Sequence, residues 1–202
     1  MNKRNYQKEM DILIEKLGAN APTLLLHACC APCSSYVLSY LSEYFNIILC
    51  YYNPNIFPEE EFYKREEELK RFVSECNFKH EVRIEKVKYD PDRYFELVKG
   101  LENEKEGGKR CEVCFRMRLL EAAKFADEFN ADYFATTLTI SPLKNAELIN
   151  NIGEEIEKET NCKAKYLASD FKKKEGYKKS IEYSKEHNLY RQDYCGCIFS
   201  QR

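Results

Sequence analysis

No stretch of this sequence approaches the roughly 20 apolar residues that span a bilayer, and its opening "MNKRNYQKEMDILIEKLG" lacks the apolar core of a signal peptide. A soluble, cytoplasmic protein with no membrane partner is expected. Tryptophan, internal repeats and low-complexity linkers are also absent, so residues 1–202 read as one catalytic-sized α/β domain. There is no excess of positive charge: the net charge is -2. Any nucleic-acid contact must then come from a local cationic patch, because counterion release depends on cations at the contact. Finally, "HACCAPCSS", which follows the apolar run "TLLL", contains no glycine. A loop cradling nucleotide phosphates would need glycine there for close backbone approach, so an ATP-using reading loses its main support.

What the chain does have is ten cysteines. In a reducing compartment these point to metal or redox chemistry rather than a disulfide framework. Around them, strand and helix patterns alternate. "PTLLLHAC", "NIILCYYNPN", "KHEVRIEKVKYD", "ADYFATTLTIS" and "AKYLASD" read as strands, the third half-exposed. Helices are expected at "APCSSYVLSYLSEYF", "FPEEEFYKREEELKRFVSEC", from about Pro91, at "CEVCFRMRLLEAAKFADEFN", at "SPLKNAELINNIGEEIEK" and at "KKEGYKKSIEYSKEHNL". Ser141 and Pro142 are placed to start the fifth of these. The alternation implies crossovers and a single doubly wound, Rossmann-like parallel sheet, with a cysteine-bearing C-terminal tail. Ligands of such a fold sit beyond the carboxyl ends of the strands, where strand order reverses.

Three cysteine pairs stand out, the first of them at that place. Cys29 and Cys30 end the first strand, Cys111 and Cys114 begin a helix, and Cys195 and Cys197 lie in "YCGC". Lys109, Arg110, Arg116 and Arg118, with the helix dipole, are expected to favour thiolate at Cys111 and Cys114. One tetrahedral zinc or one 4Fe–4S cluster takes four ligands, leaving two thiols over. The surplus suggests a cluster with a second metal, or a cluster with a redox-active pair. Cys33 is an even choice between ligand and packing. Cys50, Cys76 and Cys162 read as buried filler, His27 as a satisfied interior histidine, and the Lys172–Lys174, Lys178 and Lys179 run as a solvated face.

In this order, "HACCAPC", "YYNPNIFP", "KRCEVCFRMRL", "TTLTISP" and "YRQDYCGCIFS" resemble QueH, the cobalamin-independent epoxyqueuosine reductase family. The resemblance implies reduction of epoxyqueuosine to queuosine at the tRNA wobble position. It also implies a nucleotide-hydrolase-like fold, a 4Fe–4S cluster and an additional iron ion. The partners expected are the tRNA anticodon loop and an external one-electron donor such as ferredoxin or flavodoxin. Cluster ligands are expected among Cys29, Cys30, Cys111 and Cys114, with Cys195 and Cys197 closing the site. Asp170, Asp193 and Tyr194 are candidate proton donors, and a carboxylate could equally complete a second metal's shell. Tyr51, Tyr52, Asn53 and Thr137 are candidates for the base, and Arg65, Arg110, Arg116, Arg118 and Arg191 for phosphates. The rival reading is a zinc-stabilised RNA-binding module without redox activity.

Overall fold

The computed structural model describes residues 4–18 and 20–200. Residues 1–3, 19 and 201–202 lie outside the described residues. Five strands form one parallel sheet in the order β3-β2-β1-β4-β5: β1 (Thr23–His27), β2 (Asn46–Cys50), β3 (Val82–Glu85), β4 (Tyr133–Thr136) and β5 (Lys165–Tyr166). Strand order reverses between β1 and β4, and His27 pairs in register with Cys50 on one side and Thr136 on the other.

The sheet is covered on both faces, which is why β1 is apolar throughout. Leu24 and Leu26 enter one core and Leu25 the other, all fully buried. Each contributes about 2 kcal/mol relative to exposure. The Leu24 side packs against α1 (Tyr6–Leu17), α2 (Ala31–Leu41) and α3 (Glu59–Glu75), through Met10, Val37, Leu38, Leu41 and Phe72. The Leu25 side packs against α4 (Pro91–Leu97), α5 (Lys109–Glu128) and α6 (Ala146–Thr160), through Tyr94, Leu119, Ala122 and Ile149. The last helix, α7 (Gly176–Glu186), lies against α2. As its alternating sequence suggests, β3 is a half-exposed edge strand.

Two expected boundaries differ. The strand in "ADYFATTLTIS" ends at Thr136, where the hydroxyl accepts from Leu138 N at 3.1 Å and the chain enters a 3₁₀ turn, Thr137–Ile140. Helix α6 starts at Ala146 rather than Pro142. Its N-cap is Asn145, whose Oδ1 accepts from Glu147 N and Leu148 N, while Ser141 Oγ accepts from Leu143 N in the preceding turn. Among the described helices none is long and apolar enough to cross a membrane.

Candidate metal centre

The sequence turns polar where β1 and β2 end, and the structure buries that polarity as a network. His27 is fully buried, and Arg118 is 2% exposed. Arg118 Nε donates to His27 Nε2 at 3.1 Å. A guanidinium N–H can only donate, so Nε2 accepts and the imidazole proton sits on Nδ1, which donates to Thr136 Oγ1 at 2.9 Å. Burial, then the Arg118 charge, pulls the His27 pKa down to about 3, leaving it neutral. Arg118 Nη2 also donates to Asn53 Oδ1 at 2.5 Å, and Asn53 Nδ2 donates to the Ala28 carbonyl at 2.8 Å. Arg118 Nη1 lies 4.0 Å from Cys114 Sγ. One guanidinium thus ties the end of β1, the end of β2 and the first turns of α5 together.

On this support the thiols assemble. Cys29 leaves β1, Cys30 caps α2, and Cys33 lies one turn into it. Their three sulfurs lie within 4.8 Å of one another. None of the ten cysteines is in a disulfide. Hydrogen bonds from the Cys30 and Cys33 thiols, with the Lys144 and Arg118 charges, hold the Cys29 thiol well below its usual range. Its partners show the complementary shift: Cys30 is pushed up to about 12 by the bond to Cys29, and Cys33 also rises.

The tail reaches the same place. Arg65, 2% exposed, pairs with Glu61 and points Nη1 at the Cys195 carbonyl, 3.3 Å away, with its guanidinium 5.1 Å from the Tyr194 ring centroid. Phe57 N donates to the Gly196 carbonyl at 2.8 Å. Gly196 has φ +99°, and a Cβ there would lie 2.8 Å from Ile56 Cγ1, so this close approach requires glycine. Gln192 Nε2 lies 2.9 Å from Cys30 Sγ, and Tyr94 Oη lies 2.9 Å from Cys197 Sγ.

Above the thiols opens a cavity of about 330 Å³, lined by loops that follow β1 and β4, by α7 and by the tail. It therefore sits at the switch point of the sheet. The cavity brings together Cys29, Cys195, Arg65, Arg118, Arg191, Asp193 and Tyr194 of the expected site residues. Thr137 is fully buried beneath it, with Oγ1 3.8 Å from Cys29 Sγ.

Other expected site residues are placed elsewhere. Tyr52 is 4% exposed with its hydroxyl on Arg93, so its ring offers no stacking surface; Tyr51 is likewise buried, its hydroxyl donating to the Phe62 carbonyl. Asn53 is 1% exposed and braces the thiol loop rather than facing a substrate. Arg110 is spent on the carbonyls of Leu101, Glu102 and Glu104. Arg116 pairs with Glu155 and Glu159 across α5 and α6. Asp170 pairs with Lys172 and lines a neighbouring surface pocket rather than the cavity over the thiols. Nor do the α5 cations produce thiolates. Burial pushes Cys114 up to about 12 and raises Cys111, although Gly107 N lies 3.2 Å from Cys111 Sγ.

Sequence reasoning left Cys33 undecided and missed Lys144 and Gln192. Cys33 carried the signal of a second spacing of three, after Cys30; Lys144 carried that of a cation just past the end of β4. The donor set fits a sulfur-ligated metal. Among the described residues, this thiol trio is the group of three or more cysteine, histidine or carboxylate ligands close enough to share an ion.

A family model described as epoxyqueuosine reductase QueH matches residues 24–202. The chain is 45% identical to the epoxyqueuosine reductase QueH of Streptococcus pyogenes, over 99% of its own length and 79% of the relative's. It is 43% identical to that of Staphylococcus epidermidis, covering 98% and 85%, and 36% identical to that of Thermotoga maritima, covering 88% and 90%. In structure it is similar to the U34-tRNA thiolase NcsA from Methanococcus maripaludis, solved with its 4Fe–4S cluster. The TM-score is 0.51 at 15% identity, covering 96% of this chain and 68% of that one, which establishes a common fold. With its thiol loop, arginine brace and cysteine tail all inside the matched region, the chain belongs to the epoxyqueuosine reductase QueH family.

Proposed function

We infer that the protein reduces the epoxide of epoxyqueuosine at the tRNA wobble position to queuosine, with an iron–sulfur cluster and a further iron ion held at the thiol site. The observation that carries this reading is the convergence of the Cys29, Cys30 and Cys33 sulfurs, two of them, Cys29 and Cys33, lining a cavity, in a chain of this family. The reaction consumes two electrons and two protons. Both C–O bonds of the oxirane break, a C=C bond forms, and the oxygen leaves as water. The electrons come from an external one-electron donor such as a reduced ferredoxin or flavodoxin.

Cys29, Cys30 and Cys33 would hold the metal group, with Cys111, Cys114, Cys195 and Cys197 as the remaining thiol donors. When bound, that group supplies single electrons and Lewis-acid polarisation of oxygen. The chain's own residues do the rest. Arg118 and His27 fix the thiol loop, and Arg65 and Gly196 fix the tail. Asp193 and Tyr194 line the cavity; Asp193 is the proton donor this reading favours, because the Tyr194 hydroxyl donates to the Phe57 carbonyl at 2.8 Å. Arg191, exposed at the cavity wall with a bond to Ser184 Oγ, is placed to meet a phosphate.

The test is protein purified without oxygen, analysed for iron, zinc and sulfide. It is then supplied with a chemical or protein one-electron reductant and tRNA bearing epoxyqueuosine, and the nucleosides are read by mass spectrometry. More iron than inorganic sulfide, with conversion to queuosine, is expected. A colourless protein holding stoichiometric zinc, still inactive after anaerobic reconstitution with iron and sulfide, would overturn the reading in favour of an RNA-binding module.

A further inference from the structure

The loop between the 3₁₀ turn and α6 carries a cation, Lys144, whose ammonium donors are not taken up by any described residue. Its backbone is held at both ends. Lys144 N donates to the Ser141 carbonyl at 3.2 Å, Leu143 N donates to Ser141 Oγ at 3.3 Å, and Asn145 caps α6. Within this fixed loop the two central side chains part company. Leu143 is 75% exposed, whereas Lys144 is half-buried in the cavity wall.

Four cations line the cavity. Arg65 is committed to Glu61 and the tail and Arg118 to His27 and Asn53, while Arg191, exposed at the rim, bonds Ser184 Oγ and keeps its other donors for a phosphate. Lys144 makes no ion pair or side-chain hydrogen bond with any described residue, although Glu106 and Asp193 line the same cavity and Glu147 and Asp170 line the neighbouring pocket that Lys144 also borders. A partly desolvated ammonium with no hydrogen-bond partner is costly until a ligand occupies its donors.

We propose that the Lys144 ammonium receives the oxirane oxygen of the substrate, donating a hydrogen bond to it and stabilising the negative charge that grows there as the first C–O bond breaks. This rests on the reductase reading and adds to it the residue that recognises the epoxide. An ether oxygen is a weak acceptor and an alkoxide a strong one, so the contact strengthens along the reaction. It also gives the site a means of telling substrate from product, because queuosine has no oxygen at that position.

The experiment separates recognition from turnover. Oxidised, iron-loaded protein is titrated, without reductant, with the same tRNA carrying either epoxyqueuosine or queuosine. Turnover is measured in parallel with reductant present. Wild-type protein is expected to bind the epoxide form about tenfold tighter, the scale of one hydrogen bond to a charged donor. Lys144→Met is expected to keep the wild-type iron and sulfide content, lose the preference, and slow turnover about 100-fold. Lys144→Arg should retain the preference, which excludes a folding defect as the cause. Retention of the tenfold preference by Lys144→Met would overturn the proposal. So would loss of iron from Lys144→Met but not from Lys144→Arg, which would make the lysine a charge partner of the metal group. Wild-type turnover without any preference also defeats it and leaves the reductase reading intact. Absence of wild-type turnover at full iron content removes that reading, and the proposal with it.

Discussion

At the start of α2, Cys30 and Cys33 stand three residues apart and, with Cys29, bring their sulfurs within 4.8 Å. At the start of α5, Cys111 and Cys114 have the same spacing, but both thiols are raised by burial. The sequence makes the second pair look the more strongly activated, because four cations flank it. The structure gives the three arginines among them other partners. Arg110 closes the preceding loop, Arg116 bridges α5 to α6, and Arg118 alone faces a sulfur of the pair. The α2 loop has no flanking cation in sequence, yet Lys144 and Arg118 converge on it from α5 and the loop after β4. Charge adjacent in sequence is a poor guide to charge adjacent in space when the side chain is long and has a carbonyl or carboxylate nearer to hand.

The sharpest way to break this comparison is to exchange arginines on α5. Arg118→Met leaves Asn53 Oδ1 without its partner in a buried site. His27 has a partial escape: moving its proton to Nε2 lets it donate to the Tyr52 carbonyl, 3.1 Å away. We expect a loss of about 2–4 kcal/mol in unfolding free energy, read from the urea midpoint, and weaker iron retention. Arg116→Met, two positions earlier, should cost no more than about 0.5 kcal/mol, since its pairs with Glu155 and Glu159 are exposed. Equal losses from the two variants would mean that the polar network under the thiols is not what distinguishes them.

A smaller effect should sharpen the part played by the tail. Gly196→Ala forces a side chain into φ +99° and places Cβ 2.8 Å from Ile56 Cγ1 and 3.0 Å from Arg65 Nη1. The backbone strain alone is worth about 1–2 kcal/mol. Because it falls between Cys195 and Cys197, the expected outcome is a tail that opens locally: faster proteolysis beyond Tyr190 and reduced iron content, with the urea midpoint of the sheet little changed. A drop in the midpoint as large as that of Arg118→Met would show instead that the tail is part of the main cooperative unit.

The sheet was legible because β1 and β2 are nearly uninterrupted apolar runs separated by helical periodicity, and a buried parallel sheet demands both. The position of Cys29 and Cys30 at the crevice followed from knowing where such strands end, and that of Cys195 from the family resemblance. Their partners did not follow. Tyr52 and Asn53 sit at the expected strand end, yet one turns to Arg93 and the other under the thiol loop. Which way a side chain turns at a strand end is decided by hydrogen-bonding partners distant in sequence. Lys144 was missed for the same reason. In "SPLKNAE" it looks like an early helical residue, and only the actual start of α6 places it in a loop.

That start can be tested by itself, through a still smaller change in stability. If Asn145 caps α6, Asn145→Ala strands the Glu147 and Leu148 N–H groups and should cost about 1 kcal/mol. Ser141→Ala removes one bond of 3.3 Å to Leu143 N in an exposed turn and should cost under about 0.5 kcal/mol. The reverse ranking would move the helix start back to Pro142 and place Lys144 within its first turn. The urea midpoint ranks the two, and the tRNA preference adds a second reading. Asn145→Ala loosens the loop that holds Lys144 in the cavity wall, so it should weaken the discrimination between epoxyqueuosine and queuosine tRNA more than Ser141→Ala does. A helix cap would in that case set both the end of a secondary-structure element and the position of the charge that recognises the substrate.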